Sequence, residues 1–308
     1  MINRTIIRIK VLQIVYACYQ KGSIELTLAE NELMLGIQKS YDLYYYLLLL
    51  VILLTDAEQK RLDIQKNRLL ATEAERNPNR RLADNHLAEQ LNRNIHLQKF
   101  IQKKGTFWNN EDSLFVRSLL TKILQSDIYK DYLESDDTFE SDRNFWVKIF
   151  KNLILKDEKL DEVLENQSIY WNDELDIIGA FAVKTIRRLS AETSVEQNLY
   201  PMFKDTEDKN FAIQLLRHSF LDEEENSRRI TNQISNWDIE RLAAIDLYIL
   251  QIALAELRNF PSIPISVTLN EYIDLARYYS TPKSPVFING ILDAIVKELK
   301  NEKLLFKD

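Results

Sequence analysis

Pro264-Ile265-Ser266-Val267-Thr268-Leu269-Asn270-Glu271-Tyr272-Ile273-Asp274-Leu275-Ala276-Arg277 and, after a short loop, Pro285-Val286-Phe287-Ile288-Asn289-Gly290-Ile291-Leu292-Asp293 decide the fold of this 308-residue chain. Leu269, Tyr272, Ile273 and Ala276 recur at the spacing of one helical face. Ser266 is read as the cap of that helix, and Pro261 and Pro264 stop the helix before it. Pro282 and Pro285 flank the loop, and Ile288, Ile291, Leu292, Ile295 and Leu299 define a last helix. Gly290 lies one turn inside that helix, where it costs roughly 1 kcal/mol against alanine; a close helix crossing would explain it. Upstream, Asp238 reads as the N-cap of a helix over 239–258. Its apolar residues run nearly all round, from Leu242 to Leu254, which predicts the central buried helix.

Outward from this block the chain stays helical in pattern. Ile7, Val11, Ile14, Val15 and Cys18 give segment 5–20 one apolar face, and Cys18 reads as a buried core thiol. As the only cysteine, it excludes an intrachain disulfide framework. Segment 25–70 reads as one or two helices, with the second starting near Ser40. Breaks are expected at Asn77-Pro78-Asn79-Arg80-Arg81, Asp136-Asp137 and Tyr200-Pro201. Five glycines and six prolines are too few for an α/β enzyme with phosphate loops, so the expected fold class is all-α. The uncharged run Leu43–Leu54 falls short of the roughly 20 residues that span a bilayer and reads as a core helix. Met1-Ile2-Asn3-Arg4 does not begin a signal peptide pattern. These features give the expectation of a cytoplasmic protein with no membrane partner.

The net charge of −7 conceals a segregation. Residues 1–22 carry +4, residues 23–59 carry −5, residues 60–104 carry +6, residues 105–260 carry −12, and residues 261–308 are neutral. A polyanion is repelled by the acidic block and attracted by the basic ones. Within the acidic block, residues 142–189 resemble 208–255 at a constant offset of 66. Asp142, Asn144, Phe145, Leu155, Glu158, Asn166, Gln167, Trp171, Glu174 and Ile186 meet identical residues there. Two readings stand: a duplicated helical hairpin with a Trp-containing turn, or two helical stretches with similar amphipathic patterning. No third copy occurs, so the chain is not a solenoid.

The two quoted stretches resemble the NusB family pattern, P-x-x-V-x-I-N-E-x-[IV]-x-L-A-K followed by K-F-V-N-G-V-L-D. The same pattern occurs in the related N-terminal domain of ribosomal-RNA cytosine methyltransferases. Arg8 through Tyr16 and Gln20 resemble the family's first helix. The resemblance covers residues 3–22 and 205–300. It implies an all-α NusB-like bundle of two helical subdomains, here with a large helical insertion. The expected organisation is a first helix over 1–22, an insertion over 23–204 and a C-terminal helical domain over 205–308. The insertion would hold the basic stretch 60–104 and the duplicated hairpin 142–189. The resemblance also implies binding of single-stranded boxA-like RNA together with NusE, a small-subunit ribosomal protein. That pair acts within an RNA polymerase antitermination complex on ribosomal-RNA transcripts.

An RNA reader needs cations for phosphates and a flat side chain for an unpaired base. Arg4 and Arg8, four apart on the first helix, match the family's arginine-rich segment, although Thr5 and Ile6 stand where further arginines often occur. Tyr16 is either a core tyrosine or an RNA contact. Phe287 either stacks on a base or is buried, and the resemblance favours stacking. Lys283 and Ser284 are placed against phosphate, with Lys283 departing from the family's usual acidic residue. Glu240 matches a partner-facing position and is equally suited to the positive end of a helix. Asn270, Glu271, Asn289 and Gly290 are assigned to the structural motif, with Asn289 bonding a neighbouring backbone. Arg76, Arg80, Arg81, Arg93, Lys99, Lys103 and Lys104 either extend the RNA surface or form a solvated face.

Enzymatic readings fail on inventory. His86, His96 and His218 show no metal spacing with Cys18 or with each other, and no phosphate-binding glycine motif occurs. A methyltransferase needs a cofactor-binding α/β domain and a catalytic cysteine, which the sequence after the NusB-like block does not supply. No catalysis, metal or cofactor is expected. The competing expectation is a helical scaffold in ribosome synthesis, whose acidic block recruits basic partners and which binds little RNA itself.

Overall fold

A computed structural model describes residues 1–104, 112–171, 174–197, 199–234, 243–305 and 307. The described residues form α1 (Arg4–Lys21), α2 (Leu26–Lys66), α3 (Glu73–Arg76), α4 (His86–Arg93), α5 (Ile95–Lys104), α6 (Asp112–Gln125) and α7 (Asp127–Glu134). They continue as α8 (Phe139–Asn152), α9 (Glu158–Gln167), α10 (Leu175–Arg188), α11 (Thr206–Leu221), α12 (Glu223–Ile234), α13 (Ala244–Asn259), α14 (Ile265–Tyr279) and α15 (Ser284–Asn301). The only β pairing among them is one parallel bridge, Ile2 to Phe203. The fold is all-α. The chain divides into a terminal unit, residues 2–37 with 203–308, and an inner unit, Met1 with residues 38–202.

In the terminal unit, Asn3 is extended and its side chain accepts the Ile6 N–H, which starts α1. Gly22 ends it at φ 67, a left-handed conformation that glycine adopts without a Cβ clash. α13 is the centre, as its pattern predicted: every residue from Ile249 to Leu257 is buried, and α1, α11, α12, α14 and α15 pack around it. It starts at Ala244, after extended Ala243, and not at residue 239 as expected; the expected cap, Asp238, lies outside the described residues. α14 starts two residues earlier than expected, with Pro264 in the cap position and Ser266 exposed in the first turn. Cys18 is half-buried rather than buried, and that burial raises its thiol pKa.

Arg229 anchors the far side of this unit. It pairs with Glu225, Glu298 and Glu302, while Arg258 also reaches Glu225 at 2.6 Å. Burial pushes the Glu225 carboxyl up, but the Arg229 hydrogen bond and the Arg258 charge outweigh it and hold it below its ordinary value. A carboxyl lowered by folding contributes stability above its unfolded pKa and loses it as pH falls through the folded one. Glu225→Gln is therefore expected to lower Tm at neutral pH. Its deficit against the wild type should shrink as the pH falls below about 4. Thermal melts across that range check this; a deficit independent of pH would show that the charge is not responsible.

In the inner unit, α2 continues through Ser40 without a break and buries Leu43 to Ile52 and Leu54. No second helix starts at Ser40, because neither proline nor a competing cap interrupts the apolar run. The helix has 41 residues and is long and apolar enough by composition to cross a membrane. However, 78% of its most apolar window is buried inside the protein, as in a core helix. Tyr44 meets Thr185 at 2.6 Å, tying α2 to α10. Arg81 donates to the carbonyls of Tyr132, Ser135 and Asp136 at the end of α7, with its guanidinium 4.3 Å from the centre of the Tyr132 ring.

Candidate nucleic-acid interface

The first helix divides its two arginines between surface and core. Arg4 is about one-third exposed; its Nε lies 3.2 Å from Asp208, and its guanidinium lies over the Phe211 ring at 4.9 Å. Arg8 is 2% exposed. Its Nε and Nη2 donate to the two oxygens of Glu256, both at 2.8 Å, and Nη1 lies 3.1 Å from Glu271. Thr268 and Tyr272 of α14 also donate to Glu256, at 3.0 and 2.9 Å. Burial works against the Arg8 charge, but Glu256 more than compensates and keeps the guanidinium above its ordinary pKa. Burial, then the Glu256 charge, pushes the Tyr272 hydroxyl well up, so it remains a neutral donor.

The phosphate role expected for Arg8 is thereby corrected: this guanidinium is enclosed by carboxylates and joins α1 to α13 and α14. Glu271, assigned to the structural motif, holds the same junction by accepting from Thr5 at 3.0 Å. The network needs Glu256, a residue that sequence reasoning passed over. Glu256 is one of two acids in α13 and stands between Ala255 and Leu257, directly after the apolar stretch; that placement was the signal that could have found it.

Tyr16 is 41% exposed, with its ring edge-on to Tyr248 at 5.8 Å, so it is a partly open aromatic. Lys283 is exposed immediately before α15. Ser284 is buried; its hydroxyl donates to Asp246 at 2.8 Å and accepts the Thr281 N–H at 3.2 Å. That side chain braces the loop from inside and is not presented to a phosphate, which corrects its expected contact. Pro285 in the first turn of α15 also removes one of the free N–H groups an anion would use. Phe287 is half-buried, beside Val286 at 75% exposure. Asn270 and Asn289 are exposed. Gly290 is half-buried within α15. Glu240 lies outside the described residues.

The basic stretch of the inner unit is largely neutralised from within. Arg80 pairs with Asp84 at 2.9 Å, Arg93 with Glu89, and Lys104 with Asp42 at 2.8 Å. Arg76, Lys99 and Lys103 are exposed. The fold also brings His86, Asp137 and Asp142 together, with one potential metal-ligand atom from each within 4.8 Å of the others. Asp142 is already held by the Tyr132 hydroxyl at 2.6 Å and by the His86 backbone N–H at 2.8 Å.

The family model named NusB family matches residues 179–297, beginning inside α10. A transcription antitermination protein NusB from Geotalea daltonii is 37% identical over 139 residues, 44% of this chain and 92% of that protein. The namesake from Koribacter versatilis is 39% identical over 111 residues, 35% of this chain and 76% of its own. The one from Salinibacter ruber is 38% identical over 107 residues, 35% of this chain and 67% of its own. No solved structure matches the chain.

Proposed function

Because the chain belongs to the NusB family, we propose that it is a non-catalytic, RNA-binding transcription antitermination factor. In this reading it binds boxA-like single-stranded RNA of ribosomal transcripts with NusE, within a polymerase complex in the cytoplasm. The observation that carries the reading is the match to almost the whole length of the Geotalea daltonii antitermination protein. The RNA contacts proposed here are Arg4, Tyr16, Lys283 and Phe287, all in the terminal unit. Glu240 is retained as a proposed partner contact.

A filter-binding titration of the full chain on boxA-like RNA, with and without NusE, tests this. Replacing Arg4 and Lys283 by glutamine should weaken binding and flatten its salt dependence. The loss of slope should be about 0.7 per single-strand phosphate contact. Phe287→Ala should lose about 1–3 kcal/mol of affinity if the ring stacks on a base. Unchanged affinity and slope in both variants would remove these residues from the interface.

The internal pairing of Arg80, Arg93 and Lys104 favours a second reading, a helical scaffold that binds little RNA. RNA retention that fails even with NusE present would favour it.

A further inference from the structure

The offset of 66 between 142–189 and 208–255 reappears in three dimensions. α8, α9 and α10 correspond to α11, α12 and α13 in the same order along the chain. Their buried positions correspond as well: Phe145 with Phe211, Ile149 with Leu215, Phe150 with Leu216, Leu164 with Ile230, Val183 with Ile249, and Ile186 with Ile252. α8 packs on α10 as α11 packs on α13. Shared amphipathic patterning explains buried stripes, but it does not explain shared polar contacts.

A fourth helix supplies those contacts. α4 packs on α8 as α1 packs on α11. Asn85 caps α4 by accepting from Ala88 at 3.0 Å, and Asn3 caps α1 by accepting from Ile6 at 2.9 Å. The first residue of each helix then meets the corresponding aspartate: His86 meets Asp142 at 3.0 Å, and Arg4 meets Asp208 at 3.2 Å. Four residues after its first, each helix reaches corresponding residues again. Gln90 donates to the Ser190 carbonyl at 2.8 Å, and Arg8 donates to Glu256. The same pair of offsets, 82 for the first helix and 66 for the others, satisfies all of these contacts.

We propose that residues 85–190 are a second, diverged copy of the helical core built from α1, α11, α12 and α13, nested inside the first. This copy has kept the helix packing and the caps, has Gln90 and Ser190 in place of the buried Arg8–Glu256 pair, and has lost its RNA-reading face, with His86 in place of Arg4. Gln90 Oε1 is buried with no hydrogen-bond partner among the described residues. The chain runs from this copy directly into α11, so it has no counterpart of α14, α15 or the loop carrying Lys283. The loss of an RNA face rests on the function proposed above; the duplication does not.

The His86 position tests the duplication in the full chain. His86→Arg should restore the ion pair that Arg4 makes with Asp208. Its Tm at pH 8 should equal or exceed that of the wild type, and its advantage should fall with added salt. His86→Gln should lower Tm by a few degrees, and Asp142→Asn should abolish the advantage of His86→Arg. A His86→Arg variant that melts as low as His86→Gln would overturn the duplication. Titration with boxA-like RNA tests the lost face: one site per chain is expected, and two sites per chain would overturn it. Absence of any RNA binding would count against the proposed function, while the Tm comparison would still decide the duplication.

Discussion

Arg8→Ala is expected to destabilise the terminal unit by about 3–5 kcal/mol, the usual consequence of stranding one partner of a buried ion pair. Glu256 is fully buried and accepts four hydrogen bonds, two of them from Arg8. Removing the guanidinium leaves a buried carboxylate with two neutral donors. Arg8→Lys should recover only part of the loss, because an ammonium cannot form the two parallel bonds of the guanidinium fork. Arg8→Met with Glu256→Leu should be far less damaging than Arg8→Ala alone, since no charge is then left in the core. Urea unfolding of the full chain, followed by far-UV circular dichroism, measures all three. An Arg8→Ala midpoint equal to the wild type would mean that Arg8 is not part of the core and would return it to the candidate RNA surface.

Trp146→Ala should destabilise the inner unit by a similar amount, about 3–5 kcal/mol, through the cavity it leaves. Trp146 is fully buried, and its indole N–H donates to Asn85 Oδ1 at 3.0 Å. The same oxygen caps α4, and the Asn85 amide donates to the Tyr132 hydroxyl at 3.0 Å. That hydroxyl in turn donates to buried Asp142, and burial followed by this bond raises its pKa. Trp146→Phe keeps most of the apolar volume and should cost about 1–3 kcal/mol, chiefly from the lost hydrogen bond. Equal losses for the two variants would show that the link to the α4 cap, rather than volume, dominates.

The helices were legible because their signals are local. The stripes of α14 and α15, the prolines around them and the apolar girth of α13 depend only on neighbours within a turn or two. The site was less legible. Arg8 precedes Val11, Leu12 and Val15 by three, four and seven residues, so helical spacing already placed it on a buried stripe. Its spacing of four from Arg4 pointed instead to a shared RNA face. Ser284 was misplaced for a related reason: a hydroxyl in a proline-bounded loop looks available until Asp246, 38 residues away, is seen to take it.

The family block around Asn270-Glu271 and Phe287 to Asp293, the all-α class and the offset of 66 were all readable without a fold. Each is carried by residue identity and spacing alone. Which cations remain for RNA became visible only in the folded chain. Whether an arginine is a surface charge or part of the core depends on the partner that folding brings to it. For Arg8 that partner lies 248 residues away, beyond the reach of any local pattern. The same physics gave the offset its meaning, since only folded contacts could show that His86 and Gln90 stand where Arg4 and Arg8 stand.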